Sequence, residues 1–149
     1  MGRPAVWSAR SVDATSALPP SLRGMSEFTE AMAQLAAGVT VVTVRDGRDD
    51  HGTTVTSLVS LSLEPPLVMV SLNSAGYLNE VLLRTDRWAA SLLSGDQAAI
   101  ASRFATKGRP SARLLLADVP HHRGAASEAL IIEQGVAALE VETAKVVPA

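Results

Sequence analysis

Six hydroxyl side chains crowd into ten positions of a segment that is otherwise mostly apolar. They are Thr53, Thr54, Thr56, Ser57, Ser60 and Ser62. Strand propensity explains isolated threonines such as Thr40 and Thr43, but buried hydroxyls need hydrogen-bond partners. A cluster of this size favours a polar ligand lying along a strand, where small side chains let a flat ring approach the backbone.

A flat heterocyclic ligand could be held there without any catalytic side chain. Backbone N–H and C=O groups can read the edge of the ring, while hydroxyls and an arginine hold a phosphate. A bound molecule that carries its own redox chemistry needs no general acid from the protein. These residues by themselves leave open a flavin, a haem, a deazaflavin or another flat ligand.

The histidines and glutamates have simpler interpretations. His51 heads the second strand and is expected to be a polar strand-edge residue. His121 and His122 are adjacent, with no third ligand in view, so an ordinary solvated loop is favoured over a metal site. Glu140 and Glu142 alternate with apolar residues, which predicts the solvent-facing side of a strand.

Arg103 and Phe104 stand side by side on a predicted helix. One interpretation is a surface charge beside a core aromatic. The other is that Arg103 reaches a phosphate, since a guanidinium binds phosphate oxygens well.

Several functional classes are excluded by composition. There is no cysteine, hence no disulfide, thiolate metal site or cysteine nucleophile, and a cytoplasmic location is expected. The net charge of -2, scattered basic residues and 3% aromatic content argue against nucleic acid. No apolar run reaches the roughly 18 to 20 residues of a membrane span. Phosphate-loop, dinucleotide-binding, HExxH and GxSxG motifs are missing, so no catalytic or metal residue is nominated.

Hydrophobic periodicity predicts the elements that position these residues. Helices are expected over 26–38, 76–86 and 97–105, the last capped by Asp96. Strands are expected over 39–44, 53–61, 67–72, 87–93 and 135–147, and residues 106–127 read as a loop. The polar turn "RDGRDDHG" joins the first two strands in a hairpin, and Pro65-Pro66 marks a corner before the third.

This order of elements predicts an antiparallel barrel with peripheral helices rather than a doubly wound sheet. At 149 residues the chain is long enough for one domain. Residues 1–24 lack any sustained period and are expected to be a disordered or loosely attached tail. The domain is expected over 25–149, and Met25 is a candidate for the natural start.

An ordered series of motifs resembles the flavin reductase-like family. The series is GVTVVT, HG-x-T-x-x-S, S-L-x-PP-L-V, a strand ending in LN, S-x-DQ and RFA, and the resemblance runs from about Phe28 to the C-terminus. It implies a mainly β fold, the antiparallel FMN-binding split β-barrel with peripheral helices. It also implies a homodimer that binds FMN or FAD, reduces it with NADH or NADPH, and supplies reduced flavin to a partner monooxygenase.

The resemblance also assigns roles to individual residues. It places the isoalloxazine ring against Thr54, Val55, Thr56 and Ser57, largely through their backbone groups. It places the ribityl and phosphate part of the flavin near Ser60, Ser62, Asn73 and Ser74. The cofactor pocket is flanked by Arg103 and Phe104, and Ser91 stands where the family commonly has Asn. The nicotinamide side is formed by Gly38, Val39 and Thr40.

Two positions depart from the family pattern. Thr53 stands where Met or Ala is more usual. Family members also continue past the final "VETAKVVPA" into a Gly-Asp-His turn and one or two more strands, so the domain is expected to be C-terminally short. A missing strand would expose a barrel edge. The alternatives are a non-catalytic split barrel that binds flavin or another flat cofactor, and an inactive truncated reductase.

Overall fold

The computed structural model describes residues 25–73 and 76–147. The chain divides into two compact units, Met1–Ala36 and Ala37–Ala149. The described part of the first unit contains helix α1, Met25–Ala33, which confirms the expected helix and ends it earlier than position 38. The expectations for residues 1–24 lie outside the described residues.

The second unit is mainly antiparallel β structure with short helices. In chain order its elements are β1 (Thr40–Asp46), β2 (Asp49–Val55), β3 (Val59–Leu63), β4 (Pro66–Met69), α2 (Tyr77–Thr85), β5 (Arg87–Leu92), a 3-10 turn (Gly95–Gln97), α3 (Ala98–Ala105), α4 (Ala112–Leu115), β6 (His121–Arg123), β7 (Leu130–Ile132) and β8 (Ala137–Glu142). Strand formation in β1 follows from its β-branched run, which suits a buried pleated surface.

A four-stranded sheet in the order β2–β1–β5–β8 organises this unit. Its strands are antiparallel, and Thr40 of β1 faces Val55 of β2 on one side and Leu92 of β5 on the other. Within the described residues the sheet does not close into a barrel, so β2 and β8 are its edges. The outer edge of β2 is the part of the fold that matters for the candidate site.

Both faces of the sheet carry apolar core, because successive side chains of a strand point to opposite faces. On one face, β1 packs with α2 through Val42, Val44, Val81 and Leu82. On the other face, β1 packs with α3, α4 and β7 through Val41, Phe104, Leu116 and Leu130.

The hydroxyl-rich segment forms two strands, so the prediction of one strand over 53–61 was wrong. β2 ends at Val55 and β3 begins at Val59. Between them, Ser57 Oγ donates to the carbonyl oxygen of Ser71 at 2.8 Å and accepts from the Ser71 N–H at 3.2 Å. These side-chain bonds replace ladder hydrogen bonds and let the chain bend, which is a common effect of serine.

The Pro-Pro corner is confirmed. Pro65 follows a cis peptide bond in the turn between β3 and β4, and Pro66 opens β4. The two strands pair antiparallel, with an irregularity between Ser60 and Ser62. The strand that the sequence predicts over 67–72 is β4, and it is shorter than predicted because it ends at Met69.

Two further differences concern residues 106–127 and Asp96. Residues 106–127 were expected to be a loop, but they contain α4 and β6, and β6 pairs with the buried strand β7. Asp96 lies inside the 3-10 turn instead of capping the helix. Ser94 holds the cap position, and its N–H donates to Gln97 Oε1 at 3.1 Å.

None of the helices in the described parts of the chain has both the length and the apolar character needed to cross a membrane.

Candidate functional site

A groove of about 750 Å³ follows the outer edge of β2. Four stretches line it: residues 51–57, 71–73, 76–79 and 107–110. The volume falls within the range of about 300–1,000 Å³ that is usual for small-molecule sites. We call this feature the β2 groove.

One end of the β2 edge is covered by side chains of residues 109–113. The donor–acceptor pairs are Arg109 Nε to the carbonyl of Gly52 (2.6 Å), Ser111 Oγ to that of Asp50 (3.2 Å) and Arg113 Nη2 to that of Arg48 (2.7 Å). Alternate residues of an edge strand direct their backbone groups to the same side. The next outward-facing backbone groups are therefore those of Thr54, which also lines the groove.

Several of the clustered hydroxyls already have partners within the chain. Thr54 Oγ1 donates to the Ala101 carbonyl of α3 at 2.6 Å, and Ser57 Oγ is bonded to Ser71. Ser62 Oγ accepts from the Glu64 N–H at 3.2 Å. These hydroxyls fix the backbone of the groove and its neighbouring hairpin, so what Thr54 presents to a ligand is its backbone.

The structure brings five of the residues named from the sequence to the β2 groove. They are Thr54, Val55, Thr56, Ser57 and Asn73. Ser74 lies outside the described residues. Ser60 and Ser62 lie on β3 and do not line the groove.

Ser91 and Phe104 are buried in the core, away from the groove surface. Ser91 Oγ accepts from the Ile132 N–H at 3.0 Å and so joins β5 to β7. Phe104 is fully buried and packs directly beneath Gly52 of β2. Both residues shape the sheet that carries the groove without lining it.

Arg103 is engaged in an ion pair away from the groove. Its two terminal nitrogens donate to the carboxylate of Asp118 at 2.5 and 2.8 Å, and Nη1 also donates to the Leu115 carbonyl at 2.9 Å. This pairing raises the pKa of Arg103 and lowers the pKa of Asp118, mainly through the shared hydrogen bonds. Arg103 thereby fastens α3 to the segment after α4.

The three residues named for the nicotinamide side stand at the entrance to β1. Thr40 is buried and lies opposite Val55, which does line the groove. The Val39 carbonyl accepts from the Leu93 N–H at 2.9 Å, and Gly38 is exposed. None of the three lines the groove itself.

Sequence reasoning missed two cations at the groove. Lys107 and Arg109 both line the groove, on a segment for which the sequence predicts only a loop. Burial lowers the pKa of Arg109, although an arginine stays protonated at neutral pH. The only signal in the sequence was two basic residues around a glycine, directly after a helix and before a proline.

Another wall of the groove is built from His51 and Tyr77. Their rings meet edge to face, with centroids 4.9 Å apart. Tyr77 Oη donates to Asp46 Oδ2 at 3.0 Å, and Arg84 Nη2 donates to the same oxygen at 2.7 Å. This network ties the first turn of α2 to the β1–β2 hairpin, so His51 is more than the simple strand-edge residue that the sequence suggested.

A buried carboxylate anchors the segment that carries the two cations. Asp50 is 1% exposed, and Arg123 donates to both of its carboxylate oxygens at 2.9 and 3.0 Å. Arg113 Nε lies 3.3 Å from the same carboxylate. Residues 109–113 are thus held to β2 by an ion pair as well as by hydrogen bonds to the strand edge.

Glu140 is exposed on β8, as the sequence predicted, and its carboxylate also holds a neighbouring loop. Its Oε1 atom accepts from the backbone N–H of Ala126 (2.9 Å) and from both the N–H and the hydroxyl of Ser127 (2.7 Å each). These donors lower the pKa of Glu140 because they stabilise its charged form. The carboxylate organises the loop before β7 and takes no part in the β2 groove.

The paired histidines are part of a strand, not of the loop that was predicted. His121 and His122 belong to β6, where His121 Nδ1 lies 2.7 Å from the Val119 carbonyl and His122 Nδ1 lies 3.1 Å from Glu133 Oε1. Across residues 25–73 and 76–147, no group of three or more His, Asp or Glu side chains could hold a metal ion.

The β2 groove therefore fits a flat heterocycle that carries an anionic group. Backbone groups of Thr54 present a hydrogen-bonding edge, small side chains such as those of Thr56 and Ser57 are among the lining, and Lys107 and Arg109 supply positive charge. A ligand with a ring edge able to donate and accept hydrogen bonds and with a phosphate would satisfy all three features.

Comparison with known proteins points to one family. Residues 32–149 match the family described as "Flavin reductase like domain". The chain is 43% identical over 90 residues to the NADH-dependent FMN reductase AsuE2 of Streptomyces nodosus subsp. asukaensis, covering 60% of this chain and 49% of the relative. It is also 43% identical over 89 residues to the reductase component of 4-hydroxyphenylacetate 3-monooxygenase from Thermus thermophilus, covering 60% and 58%.

Solved structures give the same result for the fold. The flavin reductase component BorF of a bacterial two-component tryptophan halogenase superposes with a TM-score of 0.76 at 30% identity, covering 85% of this chain and 78% of that one. The flavin reductase PheA2 superposes with a TM-score of 0.72 at 26% identity, covering 85% and 78%. The chain spans about half the length of the curated relatives it matches.

Proposed function

The chain belongs to the flavin reductase-like family, and from this premise we propose that it binds FMN or FAD in the β2 groove and reduces it with NADH or NADPH. The reduced flavin would then serve a partner monooxygenase. Support comes from the relatives, among which are an NADH-dependent FMN reductase and a monooxygenase reductase component.

One observation carries this proposal. Side chains of residues 109–113 occupy the outer edge of β2 only as far as Gly52. Arg109 occupies the Gly52 carbonyl, and the next outward backbone groups, those of Thr54, open into the groove. The pyrimidine edge of a flavin alternates hydrogen-bond donors and acceptors, as a strand edge does. A flavin would thus continue the pattern of hydrogen bonds that residues 109–113 begin.

In this proposal the residues of the chain bind and orient while the cofactor supplies the chemistry. A bound flavin would supply the hydride-accepting chemistry, and the rate of hydride transfer would depend on how well the chain aligns the flavin with a reduced nicotinamide. Thr54, Val55, Thr56 and Ser57 hold the ring edge, and Asn73 lies on the β4–α2 side of the same groove. No side chain is assigned a proton-transfer role.

We also propose that the protein works as a homodimer. The β3–β4 hairpin exposes five large apolar side chains, namely Val59, Leu61, Leu63, Leu67 and Met69. Patches of this kind, presented on paired strands, are typical of protein interfaces. Because β3 follows directly after the groove segment 51–57, a second copy seated there would lie close to the flavin site.

One titration tests the proposed activity. FMN is added to the purified protein while flavin fluorescence is followed, and NADH is then added while its absorbance is recorded. Quenched fluorescence followed by FMN-dependent loss of NADH supports a reductase. Binding without loss of NADH would replace the reductase by a non-catalytic flavin-binding module, and no binding would remove both functions.

A further inference from the structure

Arg109 differs from most of the other arginines in the described part of the chain. Arg45, Arg84, Arg87, Arg103, Arg113 and Arg123 each lie within 4 Å of a carboxylate. Arg109, by contrast, donates only to carbonyl oxygens, those of Gly52 at 2.6 Å and Thr106 at 3.3 Å. Among the described residues its charge has no acidic partner, although its side chain is half-buried in the groove wall.

The guanidinium is also held in a fixed position. Its Nε and Nη1 atoms are used by the two carbonyls, which leaves Nη2 without a hydrogen bond to the described protein. Ser111 and Arg113, the next two alternate residues, fasten the same segment to β2. A fixed cation without a counter-charge is prepared to receive an anion at little cost in conformational entropy.

Nearby residues reinforce this positive charge. Lys107 lines the same groove, and it forms no ion pair among the described residues. Asp50 lies on β2, the strand that Arg109 contacts. Its carboxylate is already neutralised by Arg113 and Arg123. The groove end formed by residues 107–110 is therefore electropositive.

We propose that Arg109 binds the phosphate of the flavin and makes the β2 groove select phosphorylated flavins over riboflavin. This inference rests on the proposed function, since it concerns the same groove. It assigns the phosphate to an arginine on the segment after α3 and not to Arg103, for which the sequence left a phosphate-binding role open and which is paired with Asp118.

The test compares FMN with riboflavin, which lacks the phosphate. Binding of each is measured by fluorescence quenching for the wild type, Arg109→Gln, Arg109→Lys and Arg103→Gln, with Arg87→Gln as a surface control. Arg109→Gln is expected to weaken FMN binding about tenfold or more, the effect of losing a charged hydrogen bond, and to leave riboflavin binding within about twofold. Arg109→Lys is expected to restore part of the difference, because it keeps the charge without the planar fork.

Two results would overturn the assignment. One is an equal loss of FMN and riboflavin binding in Arg109→Gln, which would mean a structural role. The other is a loss of phosphate preference in Arg103→Gln with preference kept in Arg109→Gln, which would return the phosphate to Arg103.

A second measurement separates this inference from the proposed function. Thermal unfolding is followed in increasing inorganic phosphate at constant ionic strength, for the wild type and Arg109→Gln. If the wild type binds no flavin but phosphate stabilises it and not the variant, the anion site stands and the flavin function falls. If the wild type responds to neither flavin nor phosphate, both are overturned.

Discussion

The ring of Phe104 packs so closely under Gly52 that a Cβ atom added at Gly52 would lie 2.7 Å from the Phe104 Cε1 atom. It would also lie 3.0 Å from the Val42 carbonyl oxygen. Phe104 is fully buried between α3 and the sheet, so the ring has little room to move. The absence of a side chain at Gly52 lets α3 reach the strand whose outer edge forms the candidate site.

Gly52→Ala is therefore expected to destabilise the protein by about 1–3 kcal/mol, the usual cost of overpacking a core. Chemical denaturation measures the loss. Gly95→Ala is the matched control, since a Cβ atom there would meet nothing within 4 Å. Equal stability of the two variants would contradict the close packing of Phe104 on β2.

Thr56→Leu is expected to raise the dissociation constant for FMN by at least about tenfold, because Thr56 lines the groove and the larger side chain would occupy space that the ring needs. Thr56 is exposed, so the melting temperature should stay close to that of the wild type. Fluorescence titration and a thermal scan check the two expectations. Ser102→Leu, on the exposed side of α3, is the control; unchanged FMN affinity in Thr56→Leu would remove the ring from this place.

Asp50→Asn should lower the free energy of unfolding by about 3 kcal/mol, because it breaks a pairing with a buried carboxylate and leaves Arg123 and Arg113 without its charge. Urea unfolding gives the magnitude. Asp118→Asn removes the exposed carboxylate beside Arg103 and should cost much less. If the two substitutions cost the same, burial of Asp50 does not govern its contribution.

The stability of the folded protein is expected to depend on pH through Glu140. Its pKa is lowered in the folded protein by hydrogen bonds from Ser127 and Ala126. The unfolded chain therefore takes up the proton first as the solution is acidified, and folding loses support as pH falls below the usual glutamate value of about 4.3. The loss is complete only below the lowered folded-state pKa, and between pH 5 and 8 this group adds no slope.

Thermal unfolding of Glu140→Gln against pH tests that expectation. The variant should be less stable than the wild type at pH 7, and the difference should shrink as pH falls below about 4. Glu142→Gln is the control. Glu142 lies on the same strand as Glu140, and its carboxylate is 3.9 Å from Arg87. A difference between wild type and Glu140→Gln that stays constant down to acid pH would count against the hydrogen bonds to the carboxylate.

Leu63→Glu is expected to convert the proposed dimer to monomer. Leu63 is 89% exposed at the end of the β3–β4 hairpin, and an added charge there would have to be desolvated in an interface. Sedimentation at several concentrations measures the mass. Leu114→Glu places the same charge on α4, at another exposed leucine; dissociation by that variant alone would move the interface away from the hairpin.

Local sequence determined most of the regular structure. The β-branched run in β1, the Asp-Gly turn after it and the helical spacing of Leu78, Val81 and Leu82 are short-range signals, and the structure confirms each of them. The Pro-Pro corner and the family motifs were also readable, because they need no distant partner to be recognised. The antiparallel, mainly β fold follows from these elements and their order.

Tertiary structure decided which of these residues meet. Two arginines six positions apart look alike in the sequence, yet Arg103 is paired with Asp118 while Arg109 enters the groove beside Gly52. The serine and threonine hydroxyls that suggested a ligand have protein partners in several cases, such as Ala101 for Thr54. These hydrogen-bond and charge partners are 15 to 57 residues apart, so their choice depends on chain packing, which no local pattern of residues encodes.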